Sequence, residues 1–192
     1  KKFLDENGIS GSPVILFLGR MNPLKGPQHL LEIAPEILKK FPDAAFVFVG
    51  PDQSGYSEKL QEMAKIRDLK AYFTGPIYDF EKKMQAYASC DLFVLPTSYE
   101  GTSQAIFEAM SQARPIVSTS VGGIPSQISS GKEGLLVPYG DQQALKEVVI
   151  KLLEDKNLAS TLGQAAREKV RSFTYPVLAS KLLEIYEELI QT

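Results

Sequence analysis

Two pairs of charged residues have the types and spacing to do chemistry. Arg20 and Lys25 stand five positions apart in the loop Gly19-Arg20-Met21-Asn22-Pro23-Leu24-Lys25-Gly26. Two cations projecting from one loop can grip a single diphosphate. At about 4 Å and an effective dielectric of about 20, each opposite-charge pair is worth on the order of 4 kcal/mol before desolvation. Arginine can clamp two phosphate oxygens at once, whereas lysine acts as a point charge. The Gly-x4-Gly-Lys-Ser/Thr spacing of a Walker loop is missing. A lone Arg or Lys is most often a solvated surface charge, so this pair is suggestive only.

The second pair is Glu100 and Glu108, in Ser98-Tyr99-Glu100-Gly101-Thr102-Ser103-Gln104-Ala105-Ile106-Phe107-Glu108-Ala109-Met110. Thr102 and Ser103 are both good helix N-caps. A helix starting there leaves the backbone N–H groups of Ser103 to Ala105 as an anion site, reinforced by the helix dipole. Glu100 precedes that positive end, and Glu108 lies about two turns inside the helix. Carboxylates accept hydrogen bonds from diols, so one at each end suits a sugar, a diphosphate and a ribose in line. Glu108 has a bland reading too, since an acidic residue in the first half of a helix suits the dipole. Glu100 carries the functional reading better, because it occupies a tight strand–helix turn. Two carboxylates could also serve as the acid and nucleophile of a glycoside hydrolase, but that chemistry has no need of Arg20 and Lys25.

The elements that must position these groups alternate along the chain. Short apolar runs occur at 13–18, 44–49, 71–73, 91–95, 115–117 and 134–137. Most lack polar alternation, as do strands covered on both faces. Helix-length stretches occupy about 26–40, 55–69, 78–89, 102–113, 141–154, 157–171 and 175–190. Within them Leu145, Val148, Val149, Leu152 and Leu153, and later Leu178, Leu182, Leu183, Tyr186 and Leu189, have the spacing of one helix face. The order predicts an α/β, Rossmann-like parallel sheet of about six strands with helices on both faces. Nearly every strand run ends in turn-forming or polar groups: Gly19-Arg20, Gly50-Pro51, Gly75-Pro76, Pro96-Thr97-Ser98 and Ser118-Thr119-Ser120. In open parallel sheets, ligands bind beyond the carboxyl ends of the strands.

Composition narrows the class. The 192 residues carry 21 basic and 23 acidic groups, a net charge of −2, which argues against a nucleic-acid binder or a general membrane-surface binder. Hydrophobic residues at 44% and charged residues at 23% are ordinary for a folded soluble chain. With one cysteine (Cys90) and one histidine (His29), neither an internal disulfide nor a zinc site of clustered Cys and His is expected. Cys90 reads as a packing residue, and His29 as a capping or surface residue. The Lys39-Lys40 and Lys82-Lys83 pairs read as solvated helix faces, and the Tyr and Phe residues as spaced for a core. No apolar run reaches membrane-spanning length, and no signal-peptide pattern opens the chain, so a cytoplasmic location is expected. Residues 1–12, with Gly8, Gly11 and Ser12, read as a linker or hinge entry, and 13–192 as one domain. The opening Lys-Lys-Phe suggests a piece of something larger.

The motif set resembles the retaining glycosyltransferases of group 1, family 4. Gly-Arg…Lys-Gly after the first strand is followed by Glu100-Gly101 and then Glu108-Ala109-Met110. Next come Pro115-Ile116-Val117, Val121-Gly122-Gly123-Ile124-Pro125, Gly131-Lys132-Glu133-Gly134-Leu135-Leu136-Val137-Pro138 and Gly140-Asp141. The likeness runs from about residue 13 to 190 and is to the carboxy-terminal, donor-binding half of the two-domain GT-B fold. Family members often have Glu-Gly-Phe-Gly where this chain has Glu100-Gly101-Thr102-Ser103. They often have Gly at the place of Ala113 and Glu at that of Ser126.

The resemblance implies transfer of a sugar from a nucleotide-diphosphate sugar to an acceptor hydroxyl, with retention and without a bound metal or other cofactor. Arg20, Lys25 and the N–H groups of Ser103, Gln104 and Ala105 would contact the diphosphate, and Glu108 the ribose. Glu100, with Gly101 beside it, would bind the transferred sugar. Gly19, Gly50, Gly75 and Ile77 would line the nucleotide through backbone groups. Arg20, Lys25 and Glu100 would carry the catalytic roles. A carbohydrate or lipid-linked acceptor would be held by an amino-terminal domain that this chain lacks, so the chain is expected to bind donor but to transfer sugar poorly. A sugar-nucleotide epimerase or a non-catalytic nucleotide-sugar module is the alternative, because one fold hosts many activities.

Overall fold

The computed structural model describes residues 2–190. Strands β1 (Val14–Leu18), β2 (Ala45–Val49), β4 (Leu92–Leu95) and β5 (Ile116–Thr119) are buried along nearly their whole length. Strands β3 (Ala71–Gly75) and β6 (Leu135–Val137) are mostly half-buried. The order β3-β2-β1-β4-β5-β6 explains the difference, since β3 and β6 are the sheet's edges. All pairings are parallel, with Val14 opposite Ala45 and Ile15 opposite Leu92. Continuous apolar runs thus mark the strands that helices cover on both faces.

Helices α2 (Pro27–Lys40), α3 (Tyr56–Ile66) and α7 (Gln142–Glu154) pack together on one face. On the other lie α1 (Lys2–Glu6), α4 (Phe80–Ser89), α5 (Gln104–Ser111) and α8 (Lys156–Val170). Leu30, Leu31, Ala34 and Ile37 of α2 and Leu145, Val149 and Leu152 of α7 supply the buried stripes that amphipathic spacing requires. Asp79, Ser103, Asp141 and Asp155 cap α4, α5, α7 and α8, each side chain accepting a first-turn backbone N–H. Phe48 stacks on Phe73 at 4.8 Å and tilts against Phe17, tying β1, β2 and β3 through one aromatic row.

Several features differ from the sequence expectation. The opening stretch read as a linker contains α1, whose Phe3 is buried, and Ile9 is buried as well. Ser10 bonds to the Tyr72 hydroxyl, so this segment is packed onto the domain it enters. A short helix, α6 (Ile124–Gln127), follows β5 where only a motif was visible. Tyr78, Phe80, Tyr99, Tyr139 and Tyr175 are exposed, not core residues. Helix α9 (Tyr175–Ile190) forms where its spacing predicts, yet none of its residues is buried. Its stripe residues Leu178, Leu182, Leu183 and Tyr186 are about half exposed. Among the described residues no helix is long and apolar enough to cross a membrane.

Candidate functional site

In this strand order β1 and β4 are neighbours whose crossovers leave in opposite directions, which makes their carboxyl ends the switch point where open parallel sheets bind ligands. The loop after β1 carries Arg20 and Lys25, and the loop after β4 carries Glu100 and leads into α5. Both charged pairs singled out in the sequence therefore leave the sheet at the switch point.

The β1 loop is shaped by its own residues. Pro23–Lys25 form a 3₁₀ turn capped by Asn22, whose Oδ1 accepts the Lys25 N–H at 3.0 Å. Gly26 then takes a left-handed φ of +77°, and a Cβ there would run into the Pro96 carbonyl oxygen. Only glycine fits both demands. The Leu24 carbonyl accepts from the Ser98 N–H at 2.8 Å and from the Thr97 hydroxyl at 2.8 Å, locking this loop to the one after β4. From the other side, the Gly123 N–H donates to the Glu100 carbonyl at 2.9 Å. The Glu100–Gly101 backbone is clamped between two neighbouring loops.

The structure brings Lys25 and Glu100 together. Lys25 Nζ lies 2.6 Å from Glu100 Oε1, with side chains only 16% and 13% exposed. Arg20 is exposed, and its guanidinium has no carboxylate partner among the described residues. Glu108 answers to a different element: Lys83 Nζ of α4 lies 2.5 Å from Oε1, and the Tyr87 hydroxyl donates to Oε2 at 3.0 Å. The reading of Lys83 as a solvated lysine is thus corrected, and only Lys82 of that pair is exposed. Burial, with Glu108 adding to it, holds the Tyr87 phenol well above its ordinary range, so it remains a donor.

The helix terminus also differs from expectation at one position. Ser103 is buried, and its N–H donates to Gln127 Oε1 at 2.8 Å while Gln127 Nε2 donates back to its carbonyl at 2.9 Å. The Ser103 N–H is therefore not free for an anion, because Gln127 of α6 completes it. Gln104 and Ala105, the first two residues of α5, keep open N–H groups, as the start of any helix does. No sequence spacing links Ser103 to Gln127, and only the packing of α6 against the α5 entry reveals the pair.

Gly50 and Gly75 line a hollow of about 280 Å³ with Met21, Phe48, Phe73 and Pro76. The stacked pair Phe48 and Phe73 forms part of its wall. Ile77 lines an adjoining hollow of about 450 Å³ with Phe3 and Thr74, and Pro76 borders both hollows. Gly19 is half-buried, and its N–H donates to the Val49 carbonyl at 2.9 Å. Gly101 borders a third hollow of about 280 Å³ against Phe107, Gly123 and Phe173.

Comparison with known proteins decides the class of molecule. The family described as "Glycosyl transferases group 1" matches residues 1–169. The chain belongs to the group 1 glycosyl transferases. Sulfoquinovosyl transferase SQD2 of Arabidopsis thaliana is 32% identical over 179 residues, 92% of this chain and 33% of that protein. The carboxy-terminal domain of a group 1 glycosyl transferase, LpcC of Francisella tularensis, superposes with a TM-score of 0.80 at 26% identity, covering 89% of this chain and 90% of that one. Anabaena HepE in complex with UDP shares the fold with a TM-score of 0.83 at 24% identity, over all of this chain and 52% of that one. The chain spans between a third and about half of the curated relatives it matches. As a group 1 glycosyl transferase it is the carboxy-terminal half of a GT-B fold.

Away from the switch point the remaining candidates are structural in this glycosyl transferase domain. Cys90 is fully buried, and burial pushes its thiol up to about 12. His29 Nδ1 lies 2.9 Å from Glu32 Oε2 and 2.6 Å from the Gln142 amide, which ties α2 to α7. Lys39 and Lys40 pair with Glu36 and Glu154 on exposed surface.

Proposed function

We propose that this chain binds the donor of a retaining glycosyltransferase, which moves a sugar from a nucleotide-diphosphate sugar to an acceptor hydroxyl. The observation that carries the reading is the Lys25–Glu100 contact at the β1/β4 switch point, 2.6 Å long and shielded from water. A cation for phosphate and a carboxylate for sugar hydroxyls stand side by side there. Next to them the open N–H groups of Gln104 and Ala105 begin α5. The hollow beside Gly50 and Gly75 offers an aromatic wall for a base, and Glu108 accepts the ribose hydroxyls.

In the reaction the bond between the anomeric carbon and the diphosphate breaks. A bond to the acceptor oxygen forms on the same face, and the acceptor proton passes to the departing phosphate. Charge builds on the diphosphate, so Arg20, Lys25 and the α5 terminus act where charge develops. The proposal gives that task to side chains and backbone rather than to a metal. The acceptor, carbohydrate or lipid-linked, belongs to an amino-terminal half, and the full enzyme works in the cytoplasm. HepE in complex with UDP-glucose supports the donor in this reading, and the sulfoquinovosyl transferase supports the transfer of a sugar.

Calorimetry with uridine, guanosine and adenosine diphosphates and their sugars tests this directly. Binding of one base series, with little transfer by the chain alone, is expected. No binding by any of them overturns the reading.

A further inference from the structure

We propose that Lys83 and Tyr87 are positioning residues that aim the Glu108 carboxylate at a ribose diol and so make the site prefer ribonucleotides to 2′-deoxyribonucleotides. The inference rests on the reading of Glu108 as the ribose ligand. Lys83 and Tyr87 are four residues apart on α4, hence on one helix face. They grip different oxygens of one carboxylate, Nζ to Oε1 at 2.5 Å and the hydroxyl to Oε2 at 3.0 Å. An ionised carboxylate offers about four lone-pair sites, so the two grips leave one acceptor site on each oxygen. That is the demand of a vicinal diol, which donates two O–H bonds in parallel.

The grip is fixed from behind. Tyr87 is fully buried, and its ring meets Phe93 of β4 edge-on at 5.4 Å. The hydroxyl therefore has one place to be. Lys83 is half-buried and supplies a counter-charge that lets Glu108 sit at 18% exposure. Without these partners the last torsion of a glutamate is broad, and the carboxylate plane would drift away from the two-point geometry. A pair that only stapled α4 to α5 would affect stability without caring which sugar the nucleotide carries.

The test compares dissociation constants of uridine, guanosine and adenosine diphosphates with those of their 2′-deoxy counterparts, with thermal melts alongside. The chain should favour the ribonucleotide by about tenfold, the worth of one hydrogen bond to a charged group. Tyr87→Phe and Lys83→Met should each shrink that ratio about threefold or more, leaving the deoxy affinity nearly unchanged, while Lys83→Arg restores it. Tyr87→Phe removes one oxygen and keeps the core filled, which guards against simple misfolding. If both variants melt lower yet keep the full ratio, the positioning role is overturned while Glu108 stands. If Glu108→Gln leaves the ratio unchanged, the ribose reading itself falls, and the proposal with it.

Discussion

Glu100→Gln should weaken the fold and tighten diphosphate binding at the same time. The substitution keeps the side chain's shape and removes its charge. In the chain without ligand, Lys25 Nζ and Glu100 Oε1 are 2.6 Å apart, with side chains 16% and 13% exposed. Exposed pairs are worth about 0–1 kcal/mol, and removing one partner of a fully buried pair costs about 3–5 kcal/mol. This pair lies between, so the expected cost is about 1–2 kcal/mol, or about 2–8 °C in Tm for a chain of this length. The sign reverses for a nucleoside diphosphate without sugar. An arriving phosphate competes with Glu100 for Lys25 and is repelled by the same carboxylate. Two unit charges at about 6 Å and an effective dielectric of about 20 repel by about 3 kcal/mol. Salt at the open edge of the site reduces this to about 1 kcal/mol, a gain of about fivefold in affinity. Thermal melts and calorimetry on the same samples, at low and high salt, read both effects. A variant that melts cooperatively and binds diphosphate no better than the parent would show that phosphate does not come to Lys25.

Three further outcomes are expected elsewhere in the chain. Arg20→Ala should cost on the order of 1.5–3 kcal/mol of diphosphate affinity, the range for hydrogen bonds to charged groups; unchanged calorimetric affinity would mean the phosphate lies elsewhere. Cys90, with its thiol held near 12 and fully buried, should resist a thiol reagent at about pH 8 until the chain unfolds, and rapid labelling of the native protein would contradict this. Burial pushes the Glu133 carboxyl up, but the Ser129 N–H and Lys169 pull harder and leave it below its ordinary range. Such a group contributes stability above the unfolded value and loses it as pH falls through the folded one. Glu133→Gln should therefore be less stable than the parent at neutral pH, with the gap closing below about pH 4. A gap that stays constant through the acid titration would remove the ion pair from the account.

The strands were legible because burial on two faces leaves a local trace, an unbroken apolar run, and Val14–Leu18 and Ala45–Val49 show it plainly. The charged pairs were legible for a related reason, since Arg20, Lys25 and Glu100 sit in loops that must follow strands and Glu108 lies on the helix that the second loop enters. Partners drawn from elements distant in the sequence were not. Glu108 finds Lys83 from twenty-five residues away, and Ser103 finds Gln127 from twenty-four. Neither separation has a period that pattern-reading could detect. Lys82-Lys83 looked like a solvated face because two adjacent lysines usually are, yet neighbours on a helix point about 100° apart. One can face water while the other faces α5.

Helix α9 shows the same limit from the opposite side. Its stripe at Leu178, Leu182 and Tyr186 correctly predicts a helix, yet none of its described residues is fully buried. Periodicity says which residues share a face. What that face meets is settled by elements distant in the chain, and so is the aim of the Glu108 carboxylate. The candidate donor-site residues were picked out by type and by place in the chain, but the contacts of Glu108 and Ser103 come from α4 and α6, and no motif in the sequence points to those contacts. Substitutions on α4 that spare every motif residue should therefore alter nucleotide choice.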